Sequence, residues 1–156
     1  MEWDIYGGKR GEIVKDVSYD VGVLTYVYPS NGLHLNANTT EVYGQLGYEP
    51  PYLKYSHAVT NLFRFANSKN SGYLDVGANI DAINGYTVNL HAGHQAVKNN
   101  TQFSYSDWKV GVTKDFGVIT LAAAAIGTNT NNYVGPAPSL KNLGKSAFVL
   151  TLSKTF

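Results

Sequence analysis

Few residues of this chain have the types and spacing that catalysis or metal binding requires. None of its 156 residues is a cysteine, which excludes disulfides, Cys-ligated zinc and a thiol nucleophile. His91 and His94 are three positions apart, as in a helical metal site, but on a strand they point to opposite faces. No Gly-x-Ser-x-Gly motif positions a serine nucleophile. We therefore predict that the protein is not an enzyme and has no catalytic residue, metal or cofactor.

The chemistry that remains is carried by charged side chains. Successive strand side chains point to opposite faces, and nearly every strand charge falls on the same face as its neighbours' charges. This face predicts a water-filled lumen. The candidate pore-lining residues are Asp4, Arg10, Glu12, Asp20, Glu41, Lys54, Asp75, Asp81, His91, Asp107 and Lys109. Apart from His91 they are seven acids and three bases, so we expect a mild preference for cations. In a second interpretation, the charges pair across the lumen and only stabilise its wall.

Nine stretches alternate between apolar and polar residues and predict an all-β, antiparallel, up-and-down sheet in one domain, residues 1–156. The predicted strands are Glu2–Ile13, Val17–Tyr28, Thr40–Tyr48, Tyr52–Phe63, Gly72–Ala82, Tyr86–Val97, Ser104–Thr113, Val118–Gly127 and Ser146–Phe156. Short turns follow the odd-numbered strands and longer polar loops follow the even-numbered ones. That asymmetry is typical of transmembrane β-barrels, whose strands cross the bilayer with about 9–11 residues.

The composition supports a sheet whose apolar face meets lipid. Only 15% of the residues are charged, against about a quarter in soluble domains, and 12 are Tyr. Aromatic residues near strand ends suggest an interfacial girdle; they are Trp3, Tyr19, Tyr48, Tyr55 and Phe156. The net charge of +1 argues against nucleic acid as a partner. A soluble β-barrel or sandwich that binds an apolar ligand, with the apolar face packed inside, stays open.

Several short sequence motifs resemble those of a known family of outer-membrane proteins. They are Trp3–Gly8, Tyr19–Leu24, Glu41–Gly44, Leu53–Ser56 and Ser153–Phe156. Together they resemble the TorF-type porins of Gram-negative bacteria across essentially the whole chain. The resemblance implies a small outer-membrane pore or pore-like barrel and brings no catalytic residues. Members of that family are longer and have further strands before the segment that matches Glu2–Gly8.

The last strand resembles the C-terminal membrane-insertion signal of bacterial outer-membrane β-barrels. Phe148, Leu150, Leu152 and Phe156 share one of its faces, and the chain ends on an aromatic residue. The resemblance implies that the barrel-assembly machinery of the outer membrane is a partner.

The strand count predicts that this chain lacks part of its barrel. Bacterial barrels normally have an even number of strands, so nine strands imply an odd number missing in front. Truncation, engineering and a barrel closed between chains stay open, as does a homo-oligomer.

From these patterns we predict a transmembrane β-barrel of the bacterial outer membrane, in contact with lipid, through which small hydrophilic solutes diffuse passively. Two other functions stay open: a structural or adhesive barrel that does not conduct, and the soluble barrel. The longest loop, residues 128–145, either folds into the mouth of the pore or is a mobile surface loop.

Overall fold

The computed structural model describes residues 1–29, 32, 36–135 and 137–154. Nine β-strands make up most of this part of the chain, as the alternating pattern predicted. They are β1 (Trp3–Val14), β2 (Val17–Val27), β3 (Thr39–Tyr48), β4 (Pro51–Ala58), β5 (Gly72–Asp81), β6 (Tyr86–Ala96), β7 (Tyr105–Asp115), β8 (Thr120–Thr128) and β9 (Ala147–Ser153).

The strands form one up-and-down sheet in chain order, and each strand pairs antiparallel with the next. Short turns join β1 to β2, β3 to β4, β5 to β6 and β7 to β8 at one end of the sheet, which we call the turn end. Long connections join the other pairs at the opposite end, the loop end. The predicted asymmetry of turns and loops is confirmed. At the turn end, Asn84 and Gly85 have positive φ angles of 59° and 70°, which explains the Asn-Gly pair at that turn.

The sheet is open: the described strands do not close into a barrel. The sequence predicted that this chain lacks part of its barrel, and closure by further strands or by a second chain stays a prediction. The sheet order runs from β1 to β9, and neither edge strand has a second partner among those residues. The physical reason lies in the strand number. In an antiparallel sheet of nine strands the first and the last run in the same direction, so direct closure would require a parallel pair, with a different hydrogen-bond pattern.

Three connections differ from the sequence interpretation. Strand β4 ends at Ala58 rather than Phe63, because the chain folds back there: the Ala58 amide donates to the Ser71 carbonyl at 2.9 Å. The apolar residues that followed in the predicted strand belong to a loop. Two single-turn 3-10 helices, Ile83–Gly85 and Thr101–Phe103, were also not expected.

The main buried apolar cluster of the described chain is formed mostly by loop residues, together with Ala58 at the end of β4. Ala58, Leu62 and Val97 are almost completely buried, and Phe63, Phe65 and Phe103 pack against them. Tyr133 from the last long loop joins this cluster at the loop end: its hydroxyl donates to the Phe103 carbonyl at 2.8 Å. We call Leu62, Phe63, Phe65, Phe103 and Tyr133 the loop cap.

The loop cap anchors the longest loop. The Phe65 and Phe103 ring centroids are 4.7 Å apart, and the Tyr133 and Phe103 centroids are 6.0 Å apart. Burial and the nearby Tyr105 raise the pKa of Tyr133 to about 12, so its hydroxyl keeps its proton and remains a donor. Val134 also forms a β-bridge with Asn142. The described part of this loop is thus held against Phe103 through Tyr133 and is braced internally by the bridge.

The two faces of the sheet differ in character. We call the face with Asp20, Lys54, Asp75 and Asp107 the inner face, and the opposite face the outer face. Side chains from β2 to β7 on the inner face surround one cavity, so the sheet curves with this face concave. Apolar side chains cover the outer face and are exposed, with Val110 at 53% and Leu150 at 74%.

Among the described residues, none of the helices has the length and apolar character needed to span a membrane.

Candidate functional site

Strand register brings five charges of the inner face, those of Arg10, Asp20, Lys54, Asp75 and Asp107, into one row across the sheet. Because directly opposed residues of antiparallel strands share a face, a chain of such pairs traces a line perpendicular to the strands. The successive pairs of this row join Arg10 to Asp20, Asp20 to Gln45, Gln45 to Lys54, Lys54 to Asp75, Asp75 to Gly93 and Gly93 to Asp107. Positions far apart in sequence therefore meet in a belt around the concave face.

His91 links two carboxylates of this belt. Its Nδ1 lies 2.9 Å from an Asp75 oxygen, and its Nε2 lies 2.6 Å from an Asp107 oxygen. The imidazole is mostly buried, with 21% of its side chain exposed. The Tyr73 hydroxyl lies 3.0 Å from an Asp107 oxygen and 3.2 Å from His91 Nε2. This network couples β5, β6 and β7, and it occupies both nitrogens of the imidazole.

Glycines make room for the tyrosine rings of the inner face. A Cβ on Gly93 would lie 2.0 Å from the Tyr73 hydroxyl oxygen. A Cβ on Gly77 would lie 2.6 Å from the Tyr52 ring. Only glycine allows the rings to lie this close to the neighbouring strand, which accounts for part of the high Tyr and Gly content.

Lys54 and Glu41 face an open cavity of about 310 Å³ towards the loop end. The Lys54 ammonium lies over the Tyr43 ring, 4.4 Å from its centroid, and the Tyr43 hydroxyl donates to Asp20 at 3.2 Å. Ser56 and Asp75 also line the cavity. The remaining lining residues are Leu24, Tyr26, Phe63, Tyr73, Gln95 and Tyr105.

The other predicted pore-lining residues lie on the same face but do not join this network. Asp4, Arg10 and Glu12 are exposed on the edge strand β1. Asp81 accepts a hydrogen bond from Thr87 at 3.1 Å near the turn end. Lys109 is exposed opposite His91 and has no ion-pair partner within 4.0 Å among the described residues. The structure thus brings Asp75, His91 and Asp107 together and places Glu41 and Lys54 at one cavity. Asp20 binds the Tyr43 hydroxyl, and the other five belong to neither group.

Three of the four predicted membrane-insertion residues lie on the outer face of β9. Phe148, Leu150 and Leu152 are each at least 67% exposed, and Phe156 lies outside the described residues. His94 also belongs to the outer face, where its Nδ1 lies 3.0 Å from the Ser106 hydroxyl. It therefore points away from His91, as predicted.

Comparison with protein families gives one result. The full length, residues 1–156, matches the model of a family described as a bacterial protein of unknown function (Gcw_chp). The chain belongs to this family. No curated protein and no solved structure matches the chain. Because the description of the Gcw_chp family contains no activity, the resemblance to the TorF-type porins stays a prediction, and function has to be inferred from the inner face.

The inner face of this Gcw_chp member has polar binding groups and little reactive chemistry. In the described part of the chain, no three His, Cys, Asp or Glu side chains are arranged to hold a metal ion. The His91 nitrogens are both within hydrogen-bond distance of carboxylates, so the imidazole is not directed at an open position. The arrangement can bind or guide polar solutes along a charged, aromatic wall.

Sequence reasoning missed the uncharged members of this wall. Tyr73 and Tyr105 line the cavity beside Asp75 and Asp107, two positions away along the same strands. Their parity was a usable signal, because strand residues two apart share a face. Tyr26 and Asp20 likewise share the inner face, because they are an even number of positions apart on β2.

Proposed function

We propose that this Gcw_chp protein contributes the wall of a porin-like channel in the bacterial outer membrane, through which small hydrophilic solutes diffuse. The observation that carries this proposal is the distribution of apolar side chains. The outer face exposes large apolar residues along all nine strands, whereas the inner face has the charged belt. Monomeric soluble proteins rarely expose apolar patches larger than a few hundred Å².

The position of the buried cluster supports the same proposal. A soluble sandwich or barrel needs an apolar core between or inside its sheets. Here the buried hydrophobic residues are Ala37, Ala58, Leu62 and Val97, all at the loop end. The soluble barrel with a dry interior therefore has little support from the described residues.

Aromatic residues of the outer face lie towards the two ends of the strands, as at the two interfaces of a membrane. Tyr19, Tyr48 and Tyr86 are near the turn end, and Trp3 and Trp108 are near the loop end. Tyr55 lies mid-strand, but its ring extends over Gly72, the first residue of β5, towards the loop end. It was predicted near a strand end and reaches one only through its side chain.

A channel of this kind requires partners for both sheet edges. Lipid offers no hydrogen-bond partners for the backbone groups of β1 and β9, so further strands must pair with them. An additional odd number of strands, or strands from a second chain, would connect the two edges with antiparallel pairs.

Two adjacent alanines at the middle of β8 test which face meets lipid. Ala125 lies on the outer face between Val110 and Phe148, and Ala124 lies on the inner face between Gly111 and Val149. In a membrane, Ala125→Arg should lower the unfolding free energy in lipid vesicles by about 2–4 kcal/mol, because arginine meets the bilayer interior. Ala124→Arg should have a much smaller effect. Urea titrations in vesicles measure both, and a larger effect at Ala124 would refute the membrane assignment.

A conductance measurement tests the channel itself. The purified protein, reconstituted in planar bilayers, should produce discrete ion-conducting steps. If the two arginine variants at Ala124 and Ala125 behave as a membrane protein requires but no conductance is seen, the second candidate is favoured. That candidate is a structural or adhesive outer-membrane barrel that does not conduct. One observation favours that candidate: the loop cap packs aromatic rings across the loop end of the concave face.

A further inference from the structure

Two opposite charges that face the same cavity have no ion-pair partner. Neither Glu41 nor Lys54 lies within 4.0 Å of an oppositely charged group among the described residues. The third charged group that lines the cavity, Asp75, is bound by His91. Asp20, in the same row, accepts a hydrogen bond from Tyr43. Glu41 and Lys54 are thus the charges that remain available to a ligand.

The Tyr43 ring determines where the Lys54 ammonium lies. In the sheet Lys54 lies between Gln45 and Asp75, yet its ammonium is over Tyr43, one inner-face position closer to the loop end than Gln45. The ammonium lies more than 4.0 Å from the Asp75 carboxylate, and Glu41 is one inner-face position beyond Tyr43 on the same strand. Both charges line the same cavity, which Phe63 of the loop cap also borders.

The cavity surrounds these charges with aromatic rings and a hydroxyl. Tyr26, Tyr43 and Tyr105 contribute rings, and Ser56 contributes a hydroxyl group. A volume of about 310 Å³ suits a small ligand. Partial burial of both charges strengthens their interaction with a ligand, because the effective dielectric constant is lower there than in water.

We propose that this cavity is a binding site for small zwitterions, of the α-amino acid or short-peptide class. The ligand ammonium pairs with the Glu41 carboxylate, and the ligand carboxylate pairs with the Lys54 ammonium. A neutral sugar or a ligand with one charge fills the cavity but leaves Glu41, Lys54 or both without a counter-charge, which is unfavourable for partly buried ions. The assignment deepens the proposed function, because the solute reaches this cavity through the lumen.

A series of ligands with matched size tests the charge requirement. L-Alanyl-L-alanine has both charges, its N-acetyl form has only the carboxylate, its amide has only the ammonium, and glucose is neutral. Saturation-transfer NMR titrations with the purified protein in detergent should show dissociation constants at least about 10-fold higher for the other three ligands than for the dipeptide, equivalent to about 1.4 kcal/mol. Equal affinity for all four, or tighter binding of glucose, would overturn the proposal.

Exchanging one charge at a time tests the two residues. Glu41→Gln should abolish the preference for the dipeptide over its N-acetyl form, and Lys54→Met should abolish the preference for the dipeptide over its amide. Glu49→Gln and Lys98→Met are the matched controls, since both residues are exposed and lie outside the cavity. These controls should leave all four dissociation constants unchanged. If both cavity variants keep the selectivity of the unmodified protein, the proposed site is wrong.

The ligand series on the unmodified protein is decisive even if a cavity variant fails to fold. Failure of this inference also differs from failure of the channel. Selective dipeptide binding without bilayer conductance would keep the site and reject the channel. Conductance without charge-dependent binding would keep the channel and reject the site.

Discussion

Replacement of Gly93 by alanine tests whether the inner-face network depends on a glycine. An added Cβ would lie 2.0 Å from the Tyr73 hydroxyl oxygen, 2.5 Å from its Cζ and 3.0 Å from an Asp107 oxygen. Real Cβ atoms do not approach other heavy atoms as closely as the first two distances. The Tyr73 ring must therefore move, and its hydroxyl loses Asp107 and His91.

The expected loss follows from the number of hydrogen bonds. A phenol has one proton, so the short distances from Tyr73 to both Asp107 oxygens amount to one donated hydrogen bond. A hydrogen bond to a charged group contributes about 1.5–3 kcal/mol. Alanine in place of glycine within a strand returns about 0.5–1 kcal/mol through backbone entropy. We expect Gly93→Ala to lower the unfolding free energy by about 1–2 kcal/mol.

Thermal unfolding in detergent, followed by circular dichroism, measures this effect. For a chain of this size, each kcal/mol shifts Tm by about 2–4 °C, so Gly93→Ala should lower Tm by about 2–8 °C. Gly44→Ala is the matched control. Its Cβ would meet only Val21 Cγ1, at 3.9 Å. It should leave Tm unchanged or raise it slightly.

A double-mutant cycle identifies the Tyr73 ring as the cause. Once Tyr73→Ala has removed the ring, Gly93→Ala should behave like Gly44→Ala, because the clash is gone. If Gly93→Ala lowers Tm equally with and without the ring, the reasoning from the close approach is refuted.

Three further results are expected. His91→Leu should lower the unfolding free energy by about 2–4 kcal/mol in the same assay, since two carboxylates lose a partner, and an unchanged Tm would contradict this. Phe65→Ala should raise single-channel conductance by loosening the loop cap, whereas the exposed Phe116→Ala should not; equal conductance in both would show that the cap does not restrict the pore. Asp81→Asn should move the reversal potential under a KCl gradient towards zero by weakening cation preference, and anion preference of the unmodified protein would contradict the predicted lumen charge.

The sequence by itself determined the strands and their faces. Side chains alternate with a period of two in any extended chain, so it follows from local geometry that Asp75 and Val76 lie on opposite faces. Which of the two faces is concave was decided by the tertiary structure. The turns were also local, since Asn84-Gly85 supplies the positive φ angles that its turn requires.

Only the tertiary structure decided which side chains meet. The contacts of His91 with Asp75 and Asp107 depend on the register between strands, which turn lengths and packing set together. The close fit of Tyr73 against Gly93 depends on the same register.

The loops and the sheet edges needed the structure most. Leu62 and Phe65 looked like parts of a strand and of a polar loop, and they pack instead against Val97 and Phe103, more than thirty positions away. The alternation of apolar and polar residues within a strand does not indicate which distant residues a loop will contact. The same holds for the edges: the pattern counted nine strands, but whether β1 meets β9 depends on the curvature and direction of the whole sheet, and the described strands form an open one.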